Sequence, residues 1–248
     1  QLATRGSYDF NHTETAMLIN FANDIFYYEL GTDTALRVTN SADEEVGETF
    51  SPNDRMIGFV RNNNMYVFDL ATQRERRLTT DGSSKILNGR LDWVYQEELY
   101  GRGNFEAYWW SPDSTMLAYL RLDENPVHEF TVVDHIPYRQ KVEVTSYPKA
   151  GDPNPVVQLG VINAAGGFTR WIDTYKYQPA DFLVVRVSWT PDSKKVVYQA
   201  QNREQTFLDL NFADAKDGKS NTVIRESPKA WVEVIDNPHW LKDGSFLW

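Results

Sequence analysis

The stretch Trp110-Ser111-Pro112-Asp113-Ser114 leads directly into an apolar run, and the pattern returns at Trp189-Thr190-Pro191-Asp192-Ser193. In such a stretch the proline sets the backbone dihedral for a turn, and the aspartate accepts hydrogen bonds from nearby backbone amides. The β-branched and aromatic residues that follow are typical of a β-strand. The repeat therefore indicates a turn that leads into a strand.

Degenerate copies of this unit occur along the whole chain. They are marked by Pro52, Pro112 and Pro191, by His12 in an eroded first copy and by Lys242 in the last copy. These markers are 40, 60, 79 and 51 residues apart, against about 40 to 50 residues for a simple four-stranded propeller blade. We therefore predict an all-β chain of four-stranded antiparallel blades, a β-propeller. A β-sandwich also has short strands and regular turns, but the repeated marker favours the propeller.

Two of these intervals are longer than a blade requires. The 60-residue interval contains residues 90–105, and the 79-residue interval contains residues 125–155. Segments that a sheet does not need are frequent places for binding and catalysis. We therefore expect function to lie in these two insertions.

The composition excludes several classes of protein. The 248 residues include 35 acidic and 25 basic side chains, a net charge of −10, which argues against a nucleic-acid groove. Cysteine is absent, which excludes disulfides, thiolate zinc sites and a cysteine nucleophile. The four histidines include no pair at helical spacing, so we predict neither a metal nor a cofactor. No apolar run reaches the roughly 18 to 20 residues of a membrane helix, so no membrane span is predicted.

The first insertion contains the best candidate for a helix. Residues 92–100 can form one or two helical turns with Asp92 as the N-cap. Adjacent residues on a helix diverge by about 100°, so Glu97 and Glu98 approach a common point from two sides. A primary ammonium has three donors to share between two carboxylates. The free N-terminus of a peptide fits such a pair, although two exposed helix acids without function give the same pattern.

The residues around these acids match a known family. Residues 92–98 read Asp-Trp-Val-Tyr-Gln-Glu-Glu, and Tyr108-Trp109-Trp110-Ser111-Pro112 follows after a short spacer. This arrangement resembles the dipeptidyl peptidase IV family, serine exopeptidases whose N-terminal propeller carries the motif Asp-Trp-Val-Tyr-Glu-Glu-Glu. Tyr147-Pro148-Lys149-Ala150-Gly151 is similar to another stretch of the family, and residues 186–192 and 239–244 resemble its bacterial members. The resemblance covers most of the chain from about residue 45 onward.

The resemblance implies roles for particular residues. By position, Glu97 and Glu98 are the two acids that bind the ammonium of the substrate, whereas Gln96 replaces a first acid that is not the main amine ligand. Tyr100 is a further candidate for substrate binding. The family also uses an arginine from a preceding blade to hold the carbonyl of the second substrate residue. The matching hairpin, residues 20–24, contains no arginine, so that contact is absent or comes from elsewhere.

The resemblance also implies a longer protein. In the family an eight-bladed propeller precedes an α/β-hydrolase domain, and about five blade starts are visible in residues 1–248. The chain contains no Gly-x-Ser-x-Gly elbow, so we predict no catalytic residue in it. We expect residues 1–248 to be a partial β-propeller domain whose α/β-hydrolase domain lies outside this chain.

The second insertion corresponds to an extended arm that family members use to form dimers. The arm from Val127 to Glu143 is more apolar than a free loop, which fits a strand pair buried on a second copy. A hairpin folded back on its own propeller is the alternative. Family habit and the absence of cysteine favour a periplasmic, cell-surface or secreted location.

The function predicted from the sequence is that of a substrate-recognition and gating propeller. The whole protein is expected to be a dipeptidyl peptidase IV-like serine exopeptidase that releases Xaa-Pro or Xaa-Ala dipeptides from peptides with a free N-terminus. Two alternatives remain open. The first is a prolyl tripeptidyl peptidase or related aminopeptidase, because the arginine that holds the second substrate residue is missing. The second is a non-catalytic propeller scaffold, which has the same blade marker but no special role for Glu97 and Glu98.

Overall fold

The structure is a computed structural model that describes residues 8–178 and 181–248. Over these residues the strands form six separate sheets, and every strand pair is antiparallel. The prediction of an all-β chain with four-stranded antiparallel sheets is confirmed. Among the described residues, no helix has the length and apolar character needed to cross a membrane.

The first two sheets follow the chain order of their strands. The first sheet contains β1 (Asp9–Phe10), β2 (Ala16–Phe21), β3 (Asp24–Glu29) and β4 (Thr34–Arg37). The second sheet contains β5 (Glu45–Phe50), β6 (Met56–Arg61), β7 (Asn64–Asp69) and β8 (Arg74–Arg77). Each strand pairs with the next, as in a meander of hairpins.

The third sheet is interrupted twice. Its strands and the hairpin inserted among them are, in chain order, β9 (Ile86–Asn88), β10 (Tyr108–Trp110), β11 (Met116–Asp123), hairpin strands β12 (Glu129–Asp134) and β13 (Lys141–Ser146), β14 (Val156–Asn163) and β15 (Arg170–Trp171). Strand β10 pairs with residues 117–119 of β11, and β9 pairs with residues 121–123 of the same strand. One strand position is therefore shared by two short strands, and residues 89–107 leave the sheet between them.

The fourth sheet is again continuous. It contains β16 (Phe182–Trp189), β17 (Lys195–Asn202), β18 (Leu208–Asp214) and β19 (Ser220–Glu226), and it is followed by a short pair, β20 (His239–Trp240) and β21 (Phe246–Leu247). Two short helical turns complete the described structure, a π-helical turn at Tyr95–Leu99 and a 3₁₀ turn at Tyr175–Tyr177.

The sheets stack face to face in chain order. On β11, Leu117 and Tyr119 pack in the core cluster shared with the second sheet, whereas Ala118 and Leu120 pack in the cluster shared with the fourth sheet. A strand turns successive side chains to opposite faces, so this alternation places the third sheet between its two neighbours. A third cluster joins the first and second sheets in the same way.

The repeated turn is held by its own polar side chains. The Ser111 hydroxyl donates to Asp113 Oδ1 (2.6 Å) and accepts from the backbone N–H of Met116 (2.9 Å). The last residue of the turn, Ser114, lies in the left-handed region with φ of 63°. The sequence Ser-Pro-Asp-Ser therefore closes the turn that leads into β11.

The same turns also join one sheet to the next. Ser114 Oγ accepts a hydrogen bond from the backbone N–H of Asn53 (3.0 Å), which lies in the corresponding turn of the second sheet. Ser193 Oγ, in the turn of the fourth sheet, accepts from the N–H of Asp113 (3.0 Å). The marker therefore fixes the spacing of successive sheets as well as the entry of each strand.

The hairpin of β12 and β13 projects from the third sheet. Within the described ranges these strands pair only with each other, and their apolar side chains are exposed: Phe130, Val132, Val142 and Val144, with Ile136 and Tyr138 at the tip. At its base, Lys85 Nζ bonds to Glu129 Oε1 (2.6 Å) and to Ser146 Oγ (2.9 Å). The hairpin thus has a fixed base and an apolar surface open to solvent.

We predict that Ser193→Ala lowers the free energy of unfolding by about 1 kcal/mol, because the N–H of Asp113 loses its acceptor. Urea denaturation of the chain measures this loss. Ser245→Ala is the matched control, since the exposed Ser245 hydroxyl donates only within its own turn, to Asp243. An equal effect of the two changes contradicts a role for Ser193 in joining the sheets.

Candidate functional site

The acids predicted to be functional lie on the segment that leaves the third sheet. Backbone hydrogen bonds close the base of this segment: the N–H of Ala107 donates to Gly89 O (3.0 Å), and Arg90 forms an antiparallel bridge with Glu106. The N–H of Leu91 then donates to Phe105 O (2.9 Å). Residues 89–107 therefore form a closed loop with fixed ends.

A single helical turn follows this base. Asp92 Oδ1 accepts from the N–H of Tyr95 (3.0 Å), and the Asp92 carbonyl accepts from the N–H of Gln96 (3.0 Å). The N–H of Tyr100 then bonds to Tyr95 O (2.9 Å), five residues back, so the turn at Tyr95–Leu99 is π-helical. Single π-turns of this kind are frequent at functional sites. Glu97 lies inside this turn.

The capping residue is itself unusual. Asp92 is buried, and its Oδ2 has no hydrogen-bond partner among the described residues. Burial raises the pKa of Asp92 to about 6, although the backbone N–H groups of the turn lower it. Burial of Asp92 is unfavourable, but its carboxylate caps the turn that carries Glu97 and Glu98.

Glu97 is paired with a cation. Its side chain is only 17% exposed, and Oε1 accepts hydrogen bonds from Arg102 Nε (2.7 Å) and Arg102 Nη2. These hydrogen bonds, together with the charge of the guanidinium, lower the pKa of Glu97 below its ordinary value. Glu97 is therefore ionised at neutral pH and held in one orientation.

Two glycines bring Arg102 back to the turn. Gly101 and Gly103 have φ of 106° and 85°, a region that side-chain-bearing residues rarely adopt. The buried Gln96 accepts a hydrogen bond from the N–H of Gly103 through its Oε1 (2.8 Å). Gln96, which replaces an acid of the family motif, thus holds the loop that carries Arg102.

Glu98 is exposed and lines an open cleft. The cleft has a volume of about 400 Å³, and Trp93, Tyr147 and Lys149 are among its other lining residues. The rings of Trp93 and Tyr147 pack 4.2 Å apart and form an apolar wall. The cleft thus combines one carboxylate, an apolar wall and the cationic side chains of Lys149 and Arg203. No group of three or more His, Asp or Glu side chains within residues 8–178 and 181–248 is arranged to hold a metal ion.

Tyr100 lies at the end of the turn. Its hydroxyl donates to the backbone carbonyl of Val184 (3.2 Å), and its ring lies 5.9 Å from that of Trp109. Burial raises the pKa of Tyr100 above its ordinary value. The hydroxyl is thus engaged with the fourth sheet, and substrate binding by Tyr100 stays a prediction.

Sequence reasoning did not identify Arg102 as part of this site. Arg102 lies five residues after Glu97 and beyond the end of the π-turn at Leu99, so helical spacing does not predict that the two side chains meet. The signal that could have found it is the flanking pair Gly101 and Gly103, because two glycines around one arginine indicate a sharp reversal of the chain.

The sequence-family model of the dipeptidyl peptidase IV (DPP IV) N-terminal region matches residues 9–248 of the chain. The chain belongs to this family. Among its curated relatives, dipeptidyl aminopeptidase B of Saccharomyces cerevisiae is 32% identical over 212 residues, which are 80% of this chain and 25% of that protein. Dipeptidyl peptidase 4 of Trichophyton tonsurans is 31% identical over 247 residues, which are 94% of this chain and 31% of the relative.

The solved structures give the same relation at the level of fold. The crystal structure of Porphyromonas gingivalis dipeptidyl peptidase 4 superposes with a TM-score of 0.84 and 24% sequence identity, over 97% of this chain and 36% of that chain. The chain spans about a quarter to a third of the curated DPP IV relatives it matches.

We predict that Arg102→Gln raises the pKa of Glu97 toward its ordinary value of 4.5, because the hydrogen bonds and charge that lower it are removed. Glu97 then takes up its proton at higher pH than in the unaltered chain. A carboxyl ¹³C NMR titration, with the Glu97 signal assigned through Glu97→Gln, measures the shift. Arg139→Gln, on the exposed tip of the hairpin, is the control; an unchanged Glu97 titration in Arg102→Gln contradicts the pairing.

Proposed function

We propose that the stacked sheets are blades of an eight-bladed β-propeller whose role is to recognise the free N-terminus of a peptide. Membership of the DPP IV N-terminal family and the face-to-face stacking of successive four-stranded sheets support the propeller. Glu97 and Glu98 bind the peptide ammonium. The π-turn that presents two adjacent carboxylates, one paired and one exposed, is the observation that carries this proposal.

The electrostatics of the turn suit an ammonium ligand. Two neighbouring carboxylates repel each other unless a cation lies near, and Arg102 neutralises only one of the two charges. The remaining negative charge is open at the cleft on Glu98. An ammonium that bonds to both acids completes the charge balance through charge-assisted hydrogen bonds, which contribute about 1.5 to 3 kcal/mol each.

The whole protein then acts as a serine exopeptidase. Its nucleophile comes from an α/β-hydrolase domain outside this chain, and the distance from the acid pair to that nucleophile sets the length of the peptide released. The names of the relatives, dipeptidyl aminopeptidase B and dipeptidyl peptidase 4, support release of dipeptides, here with Pro or Ala as the second residue. The location that suits this activity is the periplasm, the cell surface or the outside of the cell.

A second copy of the protein is the proposed partner of the arm. The arm from Val127 to Glu143 contains most of the hairpin, whose apolar side chains are exposed on β12 and β13. Exposed strands with apolar side chains are stabilised when another chain covers them. The arm thus extends a homodimer interface that also includes the hydrolase domains.

We predict that Glu97→Gln and Glu98→Gln each lower kcat/KM of the full-length protein for Gly-Pro-p-nitroanilide by more than tenfold. Each change keeps the shape of the side chain and removes one charge, and a tenfold loss corresponds to about 1.4 kcal/mol, less than one charged hydrogen bond. Glu44→Gln is the matched control, because Glu44 is an exposed acid outside both insertions.

The choice of substrates separates the alternatives. A tripeptidyl peptidase cleaves Ala-Ala-Pro-p-nitroanilide in preference to Gly-Pro-p-nitroanilide, and a scaffold cleaves neither. Amine anchoring is wrong if hydrolysis of free-amine substrates survives both acid changes within tenfold.

The arm gives a separate prediction. We expect Val132→Lys combined with Val144→Lys to convert a dimeric full-length protein into a monomer, because both valines are exposed on the hairpin and charges there oppose burial. Light scattering after size exclusion measures the mass. Val223→Lys is the control, since Val223 on β19 and Val132 are both 48% exposed. A dimer that persists in the double variant contradicts the interface.

A further inference from the structure

The π-turn is hydrogen-bonded to β16, the first strand of the fourth sheet. Strand β16 is an edge strand, so its backbone groups that face away from β17 have no strand partner in that sheet. Its pairing with β17 shifts between Val184 and Arg186, which leaves Val185 as a bulge. Bulges re-aim side chains and backbone groups next to functional sites.

Two tyrosines of the turn bind the same residue of β16. The N–H of Val184 donates to the hydroxyl of Tyr95 (3.3 Å), and the hydroxyl of Tyr100 donates to Val184 O (3.2 Å). Residues five apart on an α-helix point about 140° away from each other, whereas the i to i+5 bond of a π-turn stacks them one turn apart. The two rings accordingly lie 6.3 Å apart at an interplanar angle of 28°.

Arg186 closes the end of the turn. Its Nη1 donates to the carbonyl of Leu99 (2.8 Å), the last residue of the turn, and to the carbonyl of Val185 in the bulge (2.7 Å). The guanidinium carbon lies 5.6 Å from the centre of the Tyr100 ring. The last carbonyls of a helical segment have no partner within the segment, and a cation at this end also suits the helix dipole.

We propose that Arg186 is a positioning residue for the acid pair, acting through Leu99 and Tyr100 from the bulge of β16. The proposal rests on ammonium binding by Glu97 and Glu98, and it adds that a neighbouring sheet fixes where these acids stand. Glu97 and Glu98 lie between the two tyrosines that bind Val184. We therefore expect the position of β16 to determine the position of the acids.

The turn needs such support because it is too short to support itself. The π-helical segment is only five residues long, and the bonds at its two ends run from the N–H of Gln96 to Asp92 O and from the N–H of Tyr100 to Tyr95 O. A first helical turn orders several residues for a single hydrogen bond and is unfavourable alone. The contacts from β16 compensate for that cost by fixing the far end, opposite the Asp92 cap.

Arg186→Ala in the full-length protein tests the proposal. We expect KM for Gly-Pro-p-nitroanilide to rise about tenfold with kcat within threefold, because binding of the amine is weakened without change at the nucleophile. Arg186→Lys retains a donor and a charge and is expected to restore part of the loss. Hydrogen exchange of a peptide covering residues 94–100 is expected to accelerate in Arg186→Ala.

Arg225→Ala is the matched control. Arg225 lies in the same sheet, and its Nε and Nη2 bond to the two carboxylate oxygens of the buried Asp209 (2.6 and 2.7 Å), so its loss lowers stability. Its KM and the exchange of residues 94–100 are expected to stay unchanged. The proposal is overturned if Arg186→Ala raises KM and the exchange rate no more than Arg225→Ala does.

Failure of the proposed function has a different signature. If Glu97→Gln and Glu98→Gln leave KM unchanged while Arg186→Ala still accelerates exchange of residues 94–100, ammonium binding is wrong and the role of Arg186 in positioning acids falls with it. If the acid variants raise KM but Arg186→Ala changes neither KM nor exchange, only the role of Arg186 is wrong. The Arg186→Lys variant gives both readouts if Arg186→Ala does not fold.

Discussion

The pairing of two short strands with one long strand is the constraint on which the site depends. Strands β9 and β10 occupy the same edge of β11 and leave a gap through which residues 89–107 depart. Both ends of this loop are therefore fixed on the same strand, β11, as the two ends of a hairpin loop are fixed by paired strands. The core on either face of β11 then holds that base between the second and fourth sheets. A loop that begins and ends in a rigid sheet can hold its side chains in fixed positions.

The charges of the loop are arranged asymmetrically. Arg102 pairs with Glu97, whereas Glu98 lines an open cleft together with the apolar rings of Trp93 and Tyr147 and the cationic side chains of Lys149 and Arg203. A site with two free carboxylates would repel itself and raise one of its pKa values, and a site with both acids paired would have no affinity left for a cation. Arg102 is paired with Glu97, so the carboxylate of Glu98 stays exposed at the cleft. Gly101 and Gly103 make this possible, since their positive φ turns Arg102 back toward Glu97.

The sequence predicted what depends on local chemistry. The turn of Ser111 and Asp113 is closed by bonds to residues at most five positions away, so its repeats indicated the sheets correctly. The sequence predicted one or two helical turns at residues 92–100, but it gave no sign of the π form or of the hydrogen bond from Tyr100 to Val184, which lies 84 residues further along the chain. Arg186 was not predicted either, because its partner Leu99 is far away in the sequence. The sequence signal for it is an arginine within the otherwise apolar run of β16. Side chains that act across sheets need the fold before they can be recognised.

The central claim is that Glu97 and Glu98 bind a peptide ammonium. Isothermal titration of the full-length protein with Gly-Pro and with N-acetyl-Gly-Pro at pH 7 tests it most directly, because the two ligands differ in the charge of the amine. Binding of the free-amine dipeptide at least tenfold tighter, a difference of about 1.4 kcal/mol, is the predicted result. Equal affinity for the two ligands would contradict recognition of the ammonium by this acid pair.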